Sequence, residues 1–211
     1  GQVLTIGIML LVVGQAIGAN AVAAMGVGTP VVSALYALGF LLGSGGAVRY
    51  AVLKASGKTQ AASGVFTFAA LGAVLFGLII CVLGNLHTDS LARFLGSTPG
   101  NLTMASEYLR WILSLSSFLI LDLVLNHFMR NEGHPTVSMI ATLTGTGINI
   151  VLDFLFVMGF GWGMNGAASA TCLASVISVC INAGYALKSR GTLRIVLRGL
   201  RPRELPTMLK L

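Results

Sequence analysis

The sequence predicts an all-α integral membrane protein built as a bundle of six transmembrane helices. Of its 211 residues, 55% are hydrophobic and only 9% are charged, and the mean hydropathy is +0.89. Soluble domains carry about 25% charged residues, so this deficit alone indicates a membrane protein. The 27 glycines are scattered through apolar runs without a period, which is typical of helices that pack closely in lipid.

Six apolar runs supply the predicted helices, because a spanning helix needs about 20 mostly apolar residues. We expect the spans at about residues 3–13, 21–47, 61–86, 105–129, 136–159 and 166–187. Turn-forming clusters separate them at residues 14–20, 54–58, 131–135 and 159–163. The first run is short and the chain begins with Gly1 rather than Met, so we expect a chain that is cut at its beginning.

Two segments are predicted to lie at the membrane surface and not to cross the membrane. Residues 88–96 begin with the capping residue Thr88 and end at Gly96, which predicts a short interfacial helix on the outer side. Residues 188–211 are basic and amphipathic, with arginines at four-residue spacing. Such a tail either lies along the inner membrane face or only fixes the topology. The predicted organisation is thus a lobe of residues 1–187 followed by a cytoplasmic tail or linker of residues 188–211.

The positions of lysine and arginine predict the orientation. With six alternating helices, two of the 13 basic residues, Arg93 and Arg110, fall on one side and eleven on the other. The eleven are Arg49, Lys54, Lys58, Arg130, Lys188, Arg190, Arg194, Arg198, Arg201, Arg203 and Lys210. The positive-inside rule therefore predicts a multi-pass protein of the inner (plasma) membrane with both ends cytoplasmic.

Few polar side chains fall at membrane depth, and two pairs share a helix face. Asn149 and Asp153 are four residues apart in the fifth run, and Asp122 and Asn126 are four apart in the fourth. An ionised carboxylate at that depth costs several kcal/mol, and most that persist serve cation or proton pathways. We predict a coupling site at Asp153 and Asn149. Asp122 and Asn126 are candidates for lining a cavity or bonding a neighbouring helix.

The sequence contains no set of residues that would support nucleic-acid binding, catalysis or a structural metal site. The net charge of +7 comes from residues at the ends of apolar runs, which does not indicate nucleic-acid binding. The three histidines are scattered near helix ends, no serine has a histidine and an acid placed for catalysis, and the three cysteines lie in apolar runs without metal-type spacing. We therefore expect neither an enzyme nor a bound cofactor or structural metal.

Four stretches carry a family resemblance: residues 18–26, 43–58, 125–135 and 149–171. The third matches the pattern N-x-x-x-R-x-x-G-x-P from Asn126 through Arg130 and Gly133 to Pro135. Together they make the chain resemble the N-terminal lobe of a multidrug and toxic compound extrusion (MATE) transporter of the bacterial sodium- or proton-driven kind. The likeness spans nearly the whole chain, and the last two stretches are its most specific part.

The resemblance implies one half of a twelve-helix transporter with two six-helix lobes around a central cavity. Such a transporter exports amphipathic organic cations in exchange for inward Na⁺ or H⁺, and needs no cofactor beyond that coupling ion. Its partners would be the lipid bilayer, small cationic organic substrates and a second six-helix lobe. The chain stops about where a seventh helix would begin, so we expect a fragment, a half-size protein that pairs, or a gene remnant.

The resemblance also implies a four-part cation site. The coupling cation is held by an aspartate of the first helix, an asparagine and an aspartate of the fifth, and a threonine of the sixth. The last three fall on Asn149, Asp153 and Thr171. The first does not carry over, because residues 1–20 contain no acidic residue.

Two alternatives stay open at this point. The first is a lipid-linked saccharide flippase of the same superfamily, which is disfavoured because no arginine or lysine lies in the middle of a predicted helix. The second, of another class, is a non-transporting orphan lobe that acts as a membrane interaction protein.

Overall fold

The computed structural model describes residues 2–188, and the side chains of residues 7–186 and 188. Its regular elements in that range are all helical, which confirms the predicted fold class. The helices are α1 (Gln2–Ala16), α2 (Ala19–Ala55), α3 (Thr59–Leu86), α4 (Thr88–Phe94), α5 (Leu102–Ser114), α6 (Ser116–Asn131), α7 (Pro135–Asp153), a π-helical segment (Phe154–Gly159) and α8 (Gly163–Lys188). Apart from Lys188, the predicted basic tail lies outside the described residues.

The membrane-crossing helices follow the predicted order with one correction. Within the described residues α2, α3, the continuous α7–π segment and α8 are each long and apolar enough to cross a bilayer. The predicted fourth span, 105–129, is two helices, α5 and α6, which bend by 52° at Leu115 and count as a fifth crossing if taken together. The α1 helix is apolar but has only 15 residues, about 22 Å at 1.5 Å per residue.

Each of the four predicted turn clusters contains a connection between helices. The break between α2 and α3 contains Gly57 at φ +74°, and the break between α6 and α7 contains Gly133 at φ +98°. An L-residue with a side chain rarely adopts such angles, so glycine lets the chain reverse within three residues at each point. A short helix, α4, is present within the predicted segment 88–96.

The α6 helix lies at the centre of the bundle. Ile120, Val124 and Phe128 are fully buried on it, and it packs against α2, α3, α7 and α8. Close approach to α2 depends on small residues: a Cβ at Gly39 would lie 2.9 Å from a Leu123 methyl carbon, and one at Gly43 would lie 2.9 Å from His127 Cδ2. Gly39 and Gly43, four residues apart on α2, therefore form a contact between helices.

In contrast to the buried α6 helix, the α3 helix exposes much of its apolar surface, as a lipid-facing helix does. Its large apolar side chains are exposed in the bundle, among them Leu71, Leu75, Ile79 and Leu83. In a membrane such a surface needs no further cover, because lipid tails are as apolar as leucine. The residues that α3 buries are mostly small, among them Ala69, Ala73 and Gly77.

One end of the bundle is fastened by a buried glutamate. Glu132, just after α6, has a side chain only 4% exposed and forms an ion pair with Lys54 Nζ at 2.9 Å. The hydroxyl of Tyr50 donates a hydrogen bond to the same carboxylate. The ring of Tyr50 in turn packs edge-on against Phe128, with centroids 5.5 Å apart. These contacts join the end of α2 to the end of α6.

Candidate functional site

The predicted carboxylate Asp153 lies at the last residue of α7, directly before the π-helical segment. It is 0% exposed, and neither carboxylate oxygen receives a hydrogen bond from any described residue. Buried side-chain oxygens are nearly always hydrogen-bonded, and a buried charge without a partner is still more costly. Asp153 is thus an acceptor group with no protein donor in the described part of the chain.

Asn149 and Thr171 meet across the α7–α8 contact. Asn149, one turn before Asp153, is 3% exposed, and its amide nitrogen donates to Thr171 Oγ1 at 3.4 Å. The two helices approach closely because Gly145 of α7 faces the backbone of α8: a Cβ there would lie 3.3 Å from the Ala174 carbonyl oxygen. The structure therefore brings Asn149 and Thr171 together on the turn adjacent to Asp153.

The first helix contributes a thioether to this group. Met9 of α1 is 5% exposed, and its sulfur lies 4.0 Å from Thr171 Oγ1. Residues 1–20 hold no acidic side chain, so the fourth ligand implied by the resemblance has no equivalent here. A thioether is soft and uncharged, which suits neither sodium nor a proton. Among the residues brought together here, Asp153 is the carboxylate.

A cavity of about 140 Å³ lies beside these residues, in the middle of the bundle. It is bounded by α1, α2 and α5 on one side and by α6, α7 and α8 on the other. The polar residues that line it are Tyr36, Tyr108, Asp122, Thr142, Thr146, Asn149, Thr171, Ser175 and Ser178. Asp153 does not line it. The structure therefore places the two predicted carboxylates differently, with Asp122 at the cavity and Asp153 behind it.

Asp122 and Asn126 belong to a polar network that joins α6, α7 and α8. Asp122 Oδ1 accepts hydrogen bonds from Ser178 Oγ at 2.5 Å and from Asn126 Nδ2 at 3.0 Å. Asn126 Oδ1 accepts from Ser138 Oγ at 2.7 Å, and from Asn182 Nδ2 at 3.4 Å. We call these five residues the α6–α8 polar network.

Two neighbours extend the α6–α8 polar network. Arg130 Nε donates to Ser138 Oγ at 3.1 Å, and Thr142 Oγ1 donates to Asn126 Oδ1 at 3.2 Å. Asn126 is therefore the central acceptor, and its own amide donates back to Asp122. Asp122 is held by donors from α6 and α8, and Asn126 by donors from α7 and α8, which holds the Asp122 carboxylate in one orientation.

The α8 members of the network were not among the predicted site residues. Ser178 and Asn182 are isolated polar residues in an apolar helix, a pattern that usually indicates only a bond to the helix backbone. A usable signal was present, because Thr171, Ser175, Ser178 and Asn182 follow one another at spacings of four, three and four. That spacing places all four on one face of a helix.

Comparisons with known proteins agree with this architecture. The MatE family model matches residues 2–155. The multidrug export protein MepA of Staphylococcus aureus (strain MRSA252) is 28% identical over 183 residues, which cover 87% of this chain and 41% of MepA. The curated relative is named an export protein, in agreement with the expectation of a transporter rather than an enzyme.

Two solved structures extend the comparison. An inward-facing multidrug resistance MATE family transporter of the MOP superfamily matches with a TM-score of 0.89 and 28% identity, over 97% of this chain and 47% of that one. An outward-facing structure of such a transporter matches with a TM-score of 0.89 and 29% identity, over 98% of this chain and 46% of that one. The chain spans about half the length of the proteins it matches.

Proposed function

This chain belongs to the MatE family, and on that premise we propose that it forms one six-helix lobe of a cation-coupled exporter of amphipathic organic cations. Na⁺ or H⁺ would be the coupling ion, and a second six-helix lobe would complete the transporter. The lobe would span the plasma membrane with both ends in the cytoplasm. The single observation that carries the proposal is the Asp153 carboxylate, which is fully buried without a donor among the described residues.

The surroundings of Asp153 support a role in ion coupling. A carboxylate near the bilayer centre costs about 2.5–3.5 kcal/mol even on the most lenient scales, and a structural carboxylate would be offset by hydrogen bonds. Binding of H⁺ or Na⁺ removes the net charge. Asn149 and Thr171, which meet one turn away, offer the hard oxygen atoms that sodium prefers.

Neutralisation of Asp153 would change the relative stability of two lobe arrangements. A charged Asp153 favours an arrangement in which water reaches it, and a neutral one favours the closed packing seen here. A ligand can shift such an equilibrium only by its difference in affinity for the two states, and a buried carboxylate provides that difference. Inward movement of the cation would thus favour release of the drug on the other side.

The likeness to both access states supports movement of the lobe as a unit. The chain matches an inward-facing and an outward-facing relative with the same TM-score of 0.89. A lobe that repacked internally between the two states would fit one of them better. Alternating access would then come from rocking of this lobe against the second one around the cavity.

Efflux of a fluorescent cationic dye tests the coupling role. We expect an Asp153→Asn variant of the full-length protein, in cells lacking other dye exporters, to export the dye at least about 5-fold more slowly and to lose its dependence on the Na⁺ or H⁺ gradient. The matched control is Asp89→Asn, since Asp89 is a carboxylate 62% exposed on α4. Unchanged efflux with unchanged gradient dependence in the Asp153 variant would refute the coupling role.

A further inference from the structure

The Asp122 carboxylate presents one oxygen to the cavity and uses the other for support. Oδ1 accepts the hydrogen bonds from Ser178 and Asn126. Among the described residues none donates a hydrogen bond to Oδ2, and Oδ2 is not one of the fully buried atoms without a partner. Since Asp122 lines the cavity, Oδ2 is the atom available to a ligand there.

The α6–α8 polar network makes this orientation specific. Ser178 is 3% exposed, Asn126 7% and Asn182 0%, so the groups that hold Asp122 are themselves shielded from water. The donors come from α6 and α8, and Asn126 is further held by Ser138 of α7. An anion held by buried donors on one side and open on the other is a preorganised receptor for positive charge.

The rest of the cavity wall fits an organic cation. Tyr36 and Tyr108 contribute aromatic rings, and Met9 a polarisable sulfur. Aromatic faces attract cations, and thioethers adapt to irregular apolar groups. No lysine or arginine among the described residues lines the cavity, so an anionic ligand would find no opposite charge there. Tyr36 also borders an open groove along α2, with Phe40 and Ser44, and therefore lies between the cavity and the surface.

Size restricts what can enter. The cavity measures about 140 Å³, and a cavity of roughly 150 Å³ is known to hold one benzene ring. A compact group with one positive charge fits this space, whereas a large multi-ring dye could insert only its charged end. A quaternary ammonium or protonated tertiary amine meets both requirements, charge and size.

We propose that Asp122 is the carboxylate that binds the ammonium headgroup of the exported cation, with Ser178 and Asn126 as positioning residues. This deepens the proposed function and rests on it, but assigns the substrate charge to Asp122 and the coupling ion to Asp153. The two carboxylates thus have separate ligands. A headgroup seated at Asp122 would place its carbon skeleton toward Tyr36 and the groove beyond it.

Binding of a headgroup and its neutral isostere tests the proposal. Choline and 3,3-dimethylbutan-1-ol have nearly the same shape, and only choline is charged. We expect the full-length protein in nanodiscs to bind choline more tightly by calorimetry. We expect Asp122→Asn to lower the affinity for choline about 10- to 100-fold. The affinity for the neutral alcohol should change by no more than about 3-fold. Retained binding of the alcohol also shows that the variant is folded.

Two further variants separate this proposal from the coupling role. Ser178→Ala keeps the charge of Asp122 but removes a donor, and we expect choline to bind about 3- to 10-fold more weakly. Asp153→Asn keeps the Asp122 carboxylate, so we expect it still to bind choline more tightly than the neutral alcohol, although its dye export is slower and independent of the ion gradient. Wild-type choline affinity in Asp122→Asn, or equal affinity of the wild type for choline and the alcohol, would overturn the proposal. Loss of the preference for choline over the alcohol in Asp153→Asn, where Asp122 is intact, would overturn it too. None of these results decides the coupling test, which measures how dye export depends on the ion gradient.

Discussion

Two buried carboxylates of this lobe have opposite surroundings. Glu132 has a lysine and a tyrosine hydroxyl as partners, which is how a structural carboxylate is kept out of water. Asp153 is more deeply buried and has no donor among the described residues. The contrast separates an acid that holds two helices together from one that no described residue stabilises by a hydrogen bond.

The structural role of Glu132 leads to a stability prediction. We expect Lys54→Met to lower the free energy of unfolding by about 1–3 kcal/mol, since it leaves the Glu132 charge buried without its lysine. The expected loss of stability is smaller than for a fully buried ion pair because the Lys54 side chain is 35% exposed. Thermal unfolding in detergent, followed by tryptophan fluorescence, measures it.

Two variants control for the loss of a lysine as such. Lys58→Met removes a charge from an exposed position four residues along the same connection and should leave the unfolding temperature unchanged. The double variant Lys54→Met with Glu132→Gln should recover part of the lost stability, because no charge is then left buried. Equal unfolding temperatures for Lys54→Met and Lys58→Met would contradict the role of the ion pair.

The candidate site could be read from the sequence only in part. Asn149 and Asp153 are on one face because a helix repeats every 3.6 residues, so their pairing follows from spacing. Thr171 came from the family resemblance, since its distance from Asn149 depends on how α7 and α8 pack. Ser178 was missed for the same reason: its partner, Asp122, lies 56 residues away in the chain.

At the scale of the helices, breaks marked by glycine and proline were predicted and breaks made by packing were not. The break between α6 and α7, which contains Gly133 and is followed by Pro135, falls in a predicted turn cluster. The break at Leu115 lies between serines, without glycine or proline. There Ser116 Oγ donates to the Gly77 carbonyl oxygen of α3 at 2.8 Å, and a contact between distant residues leaves no local signal.

The close contact of α3 with α6 gives an element-level prediction. A Cβ at Gly77 would fall on the backbone nitrogen and Cα of Ser117, which cannot move aside without shifting α6. We expect Gly77→Ala to lower the free energy of unfolding by about 1–3 kcal/mol. The steric clash outweighs the gain of about 1 kcal/mol that alanine brings to a helix. Thermal unfolding in detergent is again the measurement.

A second glycine of α3 serves as the matched control for Gly77. At Gly72 a Cβ would meet only the methyl carbons of Leu42 at 3.9 Å, an ordinary contact. We expect Gly72→Ala to leave stability unchanged or slightly raised. If both variants unfold at the same temperature, the α3–α6 approach does not depend on the missing side chain.

At the scale of the whole molecule, basic residues of the described part of the chain lie toward the two ends of the bundle. Lys54 and Arg130 lie at the ends of α2 and α6, which the Lys54–Glu132 pair joins. At the opposite end, Arg110 of α5 lies 3.9 Å from Asp89 of α4. The helix order thus keeps apart the charges that the sequence predicted to be apart.

Labelling of single cysteines tests the proposed orientation. In a variant without Cys81, Cys172 and Cys180, we expect Thr98→Cys, beyond α4, to react in intact cells with a membrane-impermeant maleimide. We expect Lys58→Cys, between α2 and α3, to react only after permeabilisation. Both positions are exposed, so reaction of both after permeabilisation is the control. The reverse pattern would mean that both ends face outward.

The π-helical segment after Asp153 bears on how relatives of this chain should align. A π-helical turn holds one residue more than an α-helical turn over the same span, so the segment Phe154–Gly159 is equivalent to an α-helix with one inserted residue. Relatives in which this helix is α-helical throughout should therefore show a one-residue gap between residues 154 and 159. Their equivalents of Asn149 and Asp153 should stay in register on one side of the gap, and those of Thr171 and Ser178 on the other.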